Sequence, residues 1–137
     1  MYFSSHLSAG VFLGTVAKNS PLALALGLSS HALLDMVPHH DYNNVLPAIL
    51  DISAGLLALQ TFRTTNPEIA TSIFWGAFGA TIPDLEVAIK YLCPFVSIKS
   101  LYPSHTGKLR HPQRKFPQGV LVQVLTIASF FALSIIL

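Results

Sequence analysis

The stretch Gln118 to Leu137, QGVLVQVLTIASFFALSIIL, holds 20 residues and no charge. About 20 apolar residues in a helix reach across a hydrocarbon core of roughly 30 Å, so this segment predicts a membrane-spanning helix. The rest of the chain has the same character. Of 137 residues, 52% are hydrophobic and 10% charged, and the mean hydropathy is +0.57. A typical soluble domain carries about 25% charged residues, and its surface would be hard to build from so few. A formal net charge of +2 offers no basic field for nucleic acid. The single cysteine, Cys93, excludes an internal disulfide and a cysteine-based zinc cluster, and reads as a small buried apolar residue. The first residues, Met1 to His6, show no basic run before an apolar stretch and do not read as a cleaved signal peptide.

Outward from the last segment, proline and asparagine mark four further helices. The first is expected over 6–18, up to the break at Asn19-Ser20-Pro21. The second runs over 21–36, with Pro21 suited to a helix start and Pro38 closing it. The third covers 45–62, before Thr64-Thr65-Asn66-Pro67, and the fourth 67–82, stopped by Pro83. Between them and residues 118–137 lie a short apolar segment, 85–95, and a polar loop, 96–117, rich in Lys, Arg, His and Pro. The Gly107-Lys108 pair in that loop lacks the first glycine and the Ser or Thr of a phosphate-binding loop. The expected fold is all-α: one membrane-embedded bundle of about five helices spanning residues 1–137.

Shifting the sequence by 45 residues lays His6-Leu7-Ser8-Ala9-Gly10 on Asp51-Ile52-Ser53-Ala54-Gly55, and Val37-Pro38-His39-His40-Asp41 on Ile82-Pro83-Asp84-Leu85-Glu86. Two pseudo-repeated hairpins, 6–41 and 51–86, followed by the C-terminal helix, are the expected organisation. The competing reading is chance likeness between apolar helices. The second hairpin has Gly76 and Ala80 where the first has His31 and Asp35.

Folding these helices up and down brings all six histidines, with Asp35, Asp41, Asp51, Asp84 and Glu86, to one side or within about two turns of it. His31 and Asp35 are four apart, on one helical face, and continue into Pro38-His39-His40-Asp41. Nitrogen and oxygen donors without thiolate suit Zn²⁺, or Mn²⁺ or Fe²⁺. The expected ligands are His31, Asp35, His39 and Asp41, with His6, Asp51 and Asp84 completing the shell and His105 and His111 closing it from the loop. Either His39 or His40 faces solvent. Asp51, two turns into an apolar helix, either binds metal or orients a histidine, because an unpaired buried carboxylate is very costly. The opposing reading for His105 and His111 is a basic loop on anionic headgroups.

Ser30-His31-Ala32-Leu33-Leu34-Asp35 followed by Pro38-His39-His40-Asp41-Tyr42 resembles the signature of small prokaryotic YdjM-like membrane-bound metal-dependent hydrolases. His6, the Pro83-Asp84 pair, His105 and His111 add to the resemblance, which spans most of the chain. It implies a helical protein of the prokaryotic inner membrane with a metal centre. The extended loop with His-Arg-Gly-x-Thr-His that larger members carry is missing here. The expected activity is metal-dependent hydrolysis of a phosphoester or another lipid-borne group, with a metal-activated water as nucleophile and Glu86 as general base. The alternative from a different class is a non-catalytic membrane protein whose metal or polar cluster is structural. A metal carrier is a third reading, for which so few helices leave little room. Lys90, Lys99, Lys108, Arg110, Arg114 and Lys115 share the histidine side, against Lys18 and Arg63 opposite. That bias puts the site on the cytoplasmic face.

Overall fold

A computed structural model describes residues 1–93 and 95–137. Pro94, inside the apolar segment expected over 85–95, lies outside the described residues. The fold is all-helical, with six α-helices among the described residues: α1 (Phe3–Ala17), α2 (Ser20–Asp35), α3 (Val45–Thr65), α4 (Ala70–Thr81), α5 (Asp84–Leu92) and α6 (Gln118–Ile136). One 3-10 turn, Pro67–Ile69, leads into α4.

The helix ends follow local chemistry. Asn19 caps α2 by accepting a hydrogen bond from the Leu22 N–H at 3.0 Å, with Pro21 in the first turn. Lys18 ends α1 in the left-handed region (φ 50°), its N–H donating to the Gly14 carbonyl. Helix α3 runs three residues beyond the expected 62. There Thr64 and Thr65 return their hydroxyls to carbonyls of the preceding turn, and the Asn66 amide donates to the Phe62 carbonyl at 2.9 Å. The expected bundle of about five helices lacks α5. Its nine residues were too short and mixed to stand out, yet Asp84 and Glu86 lie in the first turn and Lys90 in the last, matching the helix dipole.

Helix α4 runs between α1 and α2, and glycine permits it. A methyl group added at Gly10 would meet the Gly76 carbonyl and stand 2.6 Å from the Ala77 Cα, and one at Gly27 would meet the Gly76 carbonyl from the other side. Backbone thus touches backbone at Gly76 from both neighbours, the close approach that small residues allow between apolar helices. A small apolar cluster of Leu7, Val11, Ile73 and Ala77 fills the α1–α4 seam.

The remaining burial is inverted relative to a water-soluble domain. His6, His31, Asp35, His39 and Gln123 are fully buried, while Leu46, Leu50, Leu57, Leu121, Leu125 and Ile136 are exposed. In α3 only Gly55 is buried, and in α6 only Gly119, Gln123 and Ser134. Helices α3 (21 residues) and α6 (19 residues) are long and apolar enough to cross a membrane.

Candidate metal centre

The ends of α1, α2, α4 and α6 that carry polar groups meet at one end of the bundle, and the loop over residues 100–114 covers them. His6 lies in the first turns of α1, and its ring stacks on that of His31, centroids 3.9 Å apart. His31 sits one turn above Asp35 on the buried face of α2. Asp84 opens α5, directly after the Pro83 turn. His39 is held by an isolated parallel bridge: its N–H donates to the Pro112 carbonyl at 3.2 Å, and the Arg114 N–H donates to its carbonyl at 2.6 Å. That bridge also brings His111 into the site.

The hydrogen bonds decide the tautomers. A carbonyl oxygen only accepts, so each ring nitrogen facing one must carry the proton. The Nδ1–H of His31 donates to the Ala80 carbonyl and that of His39 to the Val37 carbonyl, both at 2.7 Å. His105 Nδ1 lies 2.6 Å from Glu86 Oε1, a third anchor of the same kind. In the neutral rings Nε2 is therefore bare, and all three Nε2 atoms turn inward. Fixing one ring nitrogen so that the other is free to ligate is the arrangement that accompanies histidine–metal bonds.

What the bare nitrogens face is carboxylate. His31 Nε2 is 3.3 Å from Asp35 Oδ2 and 3.7 Å from Asp84 Oδ1. His105 Nε2 is 3.6 Å from Asp35 Oδ2 and 3.8 Å from Asp84 Oδ1. His6 Nε2 is 3.2 Å from Asp35 Oδ1, and neither His6 nitrogen has a hydrogen-bond partner. A second group holds His39 Nε2, 3.0 Å from His111 Nε2 and 3.1 Å from Asp41 Oδ1. Most of these separations are long for hydrogen bonds. They fall within the span expected of donors around an ion, which at bonds of ~2.1 Å stand roughly 3.0–3.4 Å apart when adjacent and about 4.2 Å apart when opposite. A lone pair facing a carboxylate is repulsive unless a proton or a metal ion lies between, and the Met1 ammonium, 3.4 Å from Asp35 Oδ1 and 3.2 Å from Asp41 Oδ1, offsets part of the carboxylate charge. The buried His/Asp cluster could hold a metal ion, and three sets have their donor atoms mutually within 4.8 Å: His6, His31 and Asp84; His31, Asp35 and His105; Asp35, His39 and His111.

Outside the helices the carboxylates favour the protonated rings, whose protons a metal ion must displace. The Asp35 carboxylate, then that of Asp41, raises His111 to about 9 against the opposing effect of burial. Asp35 and Glu86 raise His105, again against burial. Burial pushes Asp41 up, but hydrogen bonds to His111 and His39 outweigh it and hold the carboxyl well below its ordinary range.

Of the residues expected at the site, His6, His31, Asp35, His39, Asp41, Asp84, His105 and His111 converge. Asp51 stands apart. Its carboxylate accepts from the Ser4 N–H at 3.0 Å, the Ser4 hydroxyl and the Tyr42 hydroxyl at 2.5 Å, so hydroxyls and backbone, rather than a histidine, satisfy it. Glu86, expected as the base, stands behind His105. His40 turns away, to the Arg114 carbonyl and Asn43. Sequence reasoning missed Ser104, whose hydroxyl donates to Asp35 Oδ2 at 2.6 Å, and Gln113, whose amide donates to Asp41 Oδ2 at 2.7 Å. It also missed Gln123, which accepts from the Tyr2 N–H and donates to the His40 carbonyl. Gln123 had a signal: an amide in the middle of an otherwise apolar helix calls for a partner.

Asp84, His105, His111 and Asp41 reach the wall of a cavity of about 1120 Å³, whose other walls are largely apolar, among them Val45, Ile49 and Ile52 of α3 and Leu85 and Val87 of α5. Compared with family models, with curated proteins and with solved structures, the chain matches none.

Proposed function

We propose that this chain is an integral membrane, metal-dependent hydrolase acting on a lipid-borne phosphoester, with Zn²⁺ as its ion, in keeping with the resemblance to the YdjM-like hydrolases. The observation that carries this reading is the set of three anchored histidines, His31, His39 and His105, offering bare Nε2 atoms to Asp35, Asp41 and Asp84 at the inner end of an apolar cavity. Membrane insertion is supported by the exposed leucines of α3 and α6 and the buried polar groups within, since an apolar surface of that extent does not stay in water. The basic residues of the 99–115 loop support a cytoplasmic location for the site. Cysteine introduced at Lys108 is then labelled by an impermeant reagent only after the cells are opened.

His31, Asp35, Asp84 and His105 would hold a divalent ion, which would supply Lewis acidity to a phosphoester oxygen and make a water more nucleophilic. The chain's own residues hold and orient. Ser104 and Gln113 fix the carboxylates of Asp35 and Asp41 from the loop. Val45, Ile49 and Leu85 offer an acyl chain a path that leaves its headgroup beside Asp84 and His105. The full burial of His6, His31 and Asp35 favours a second reading, in which a metal merely ties α1 to α2. The test is hydrolysis of a phospholipid and of a soluble aryl phosphoester by detergent-purified protein. The proposed activity is lost on chelation, returns with Zn²⁺, and is greater on the lipid. Bound zinc without turnover of either substrate would establish the structural role instead.

A further inference from the structure

We infer that the cluster holds two metal ions, with Asp35 shared between them; this rests on the metal-binding reading above. Eight side chains converge: His6, His31, Asp35, Asp84 and His105 on one side, and His39, Asp41 and His111 on the other. First-row divalent ions accept about four to six ligands, so one ion cannot take eight. The geometry also divides the donors. The sets His6–His31–Asp84 and His31–Asp35–His105 share His31 and form one group, whereas Asp35–His39–His111 joins them only through Asp35. Asp41 belongs to the second group, its Oδ1 3.1 Å from His39 Nε2 and its Oδ2 3.5 Å from His111 Nε2.

Each group has its own anchored histidine aimed inward. In the first, His31 is fully buried, its Nδ1 bound to the Ala80 carbonyl and its Nε2 without a hydrogen-bond partner. In the second, His39 is fully buried, its Nδ1 bound to the Val37 carbonyl and its Nε2 facing the His111 ring. Asp35 lies between. Its Oδ1 meets His6 and, at 3.4 Å, the Met1 ammonium, which also lies 3.2 Å from Asp41 Oδ1; its Oδ2 accepts from Ser104 and meets His31, His105 and, at 3.6 Å, His111 Nδ1. Oδ2 thus faces donors of both groups, which makes Asp35 the ligand they share.

The experiment is metal content of the full chain in detergent, after saturation with Zn²⁺ or Mn²⁺ and removal of excess, together with the paramagnetic resonance spectrum of the Mn²⁺ form. Two ions per chain and a spin-coupled spectrum are expected. His39→Gln with His111→Gln should lower the content to one ion and replace the coupled spectrum with that of an isolated ion. His31→Gln should also lower it to one, and Asp35→Ala should reduce occupancy of both positions. One ion per chain in the wild type, with an uncoupled spectrum and no change on His39→Gln, overturns the pair while leaving a single metal site. No retained metal at all overturns the metal reading itself. The wild-type spectrum decides the matter even if a variant fails to fold.

Discussion

Glu86 Oε1 lies 2.6 Å from His105 Nδ1, while the other carboxylate oxygen accepts the Leu101 N–H at 2.9 Å. The carboxylate is thus already engaged: it holds His105 Nδ1, so that the far nitrogen is aimed at Asp35 and Asp84. Glu86→Gln should therefore weaken metal affinity about 10- to 100-fold, the usual cost of losing an outer partner, while saturating metal still gives wild-type content. Metal titration in detergent checks this. Loss of metal even at saturation would make Glu86 a ligand, and unchanged affinity would remove its orienting role.

Asp51 makes the opposite prediction. Its oxygens are taken by Ser4 and Tyr42, and burial followed by the Asp51 hydrogen bond raises the Tyr42 hydroxyl well above its ordinary value. Asp51→Asn should leave metal content unchanged and lower stability by about 1–3 kcal/mol, the cost of a weakened buried hydrogen-bond pair. Elemental analysis and thermal unfolding of the same preparation separate the two effects. A drop in metal content would return Asp51 to the ligand shell.

His111 sets a pH dependence whose sign differs with and without metal. Its ordinary value of 6.5 rises to about 9 in the fold, through Asp35 first and Asp41 second. In metal-free protein the stability it contributes is complete below pH 6.5 and is lost as pH climbs through 9. Metal takes the neutral ring, so binding releases a proton and affinity rises over the same interval. In chelator, the unfolding midpoint should fall between pH 6.5 and 9.5, and His111→Gln should flatten that fall. A midpoint that rises over this range in the metal-free wild type would contradict the assignment.

Gly76 tests the packing. Alanine is favoured over glycine inside a helix by about 1 kcal/mol, yet a methyl group here meets the Gly10 carbonyl and stands 2.9 Å from the Gly14 nitrogen. Overpacking costs typically about 1–3 kcal/mol, so Gly76→Ala should lower the unfolding midpoint. A raised midpoint would show that α1 can move aside freely.

Five of the six α-helices among the described residues, and the breaks between them, were legible because their causes are local. Pro21, Pro38, Pro67 and Pro83 interrupt the apolar runs, and Asn19 caps the segment it precedes. The gathering of histidines and carboxylates at one end of the bundle was also legible, since it depends only on how many times the chain turns back. Which of these groups meet was decided by tertiary structure. His39 and His40 are neighbours, and nothing geometric in the sequence supports the expectation of His39 as the ligand; successive side chains of an extended segment point to opposite faces. The bridge to Pro112 and Arg114, some seventy residues on, sets which face is which: His39 goes inward and His40 to the Arg114 carbonyl. Asp51 and Glu86 likewise carried the right chemistry for the site, yet the packing of α3 against α1 brought Asp51 to Ser4, and the covering loop brought His105 to Glu86. The carbonyls of Ala80 and Val37, which fix the Nδ1–H tautomers of His31 and His39, belong to a backbone that is the same at every residue. No side-chain pattern encodes them, and only the folded path of the chain brings them to the histidines.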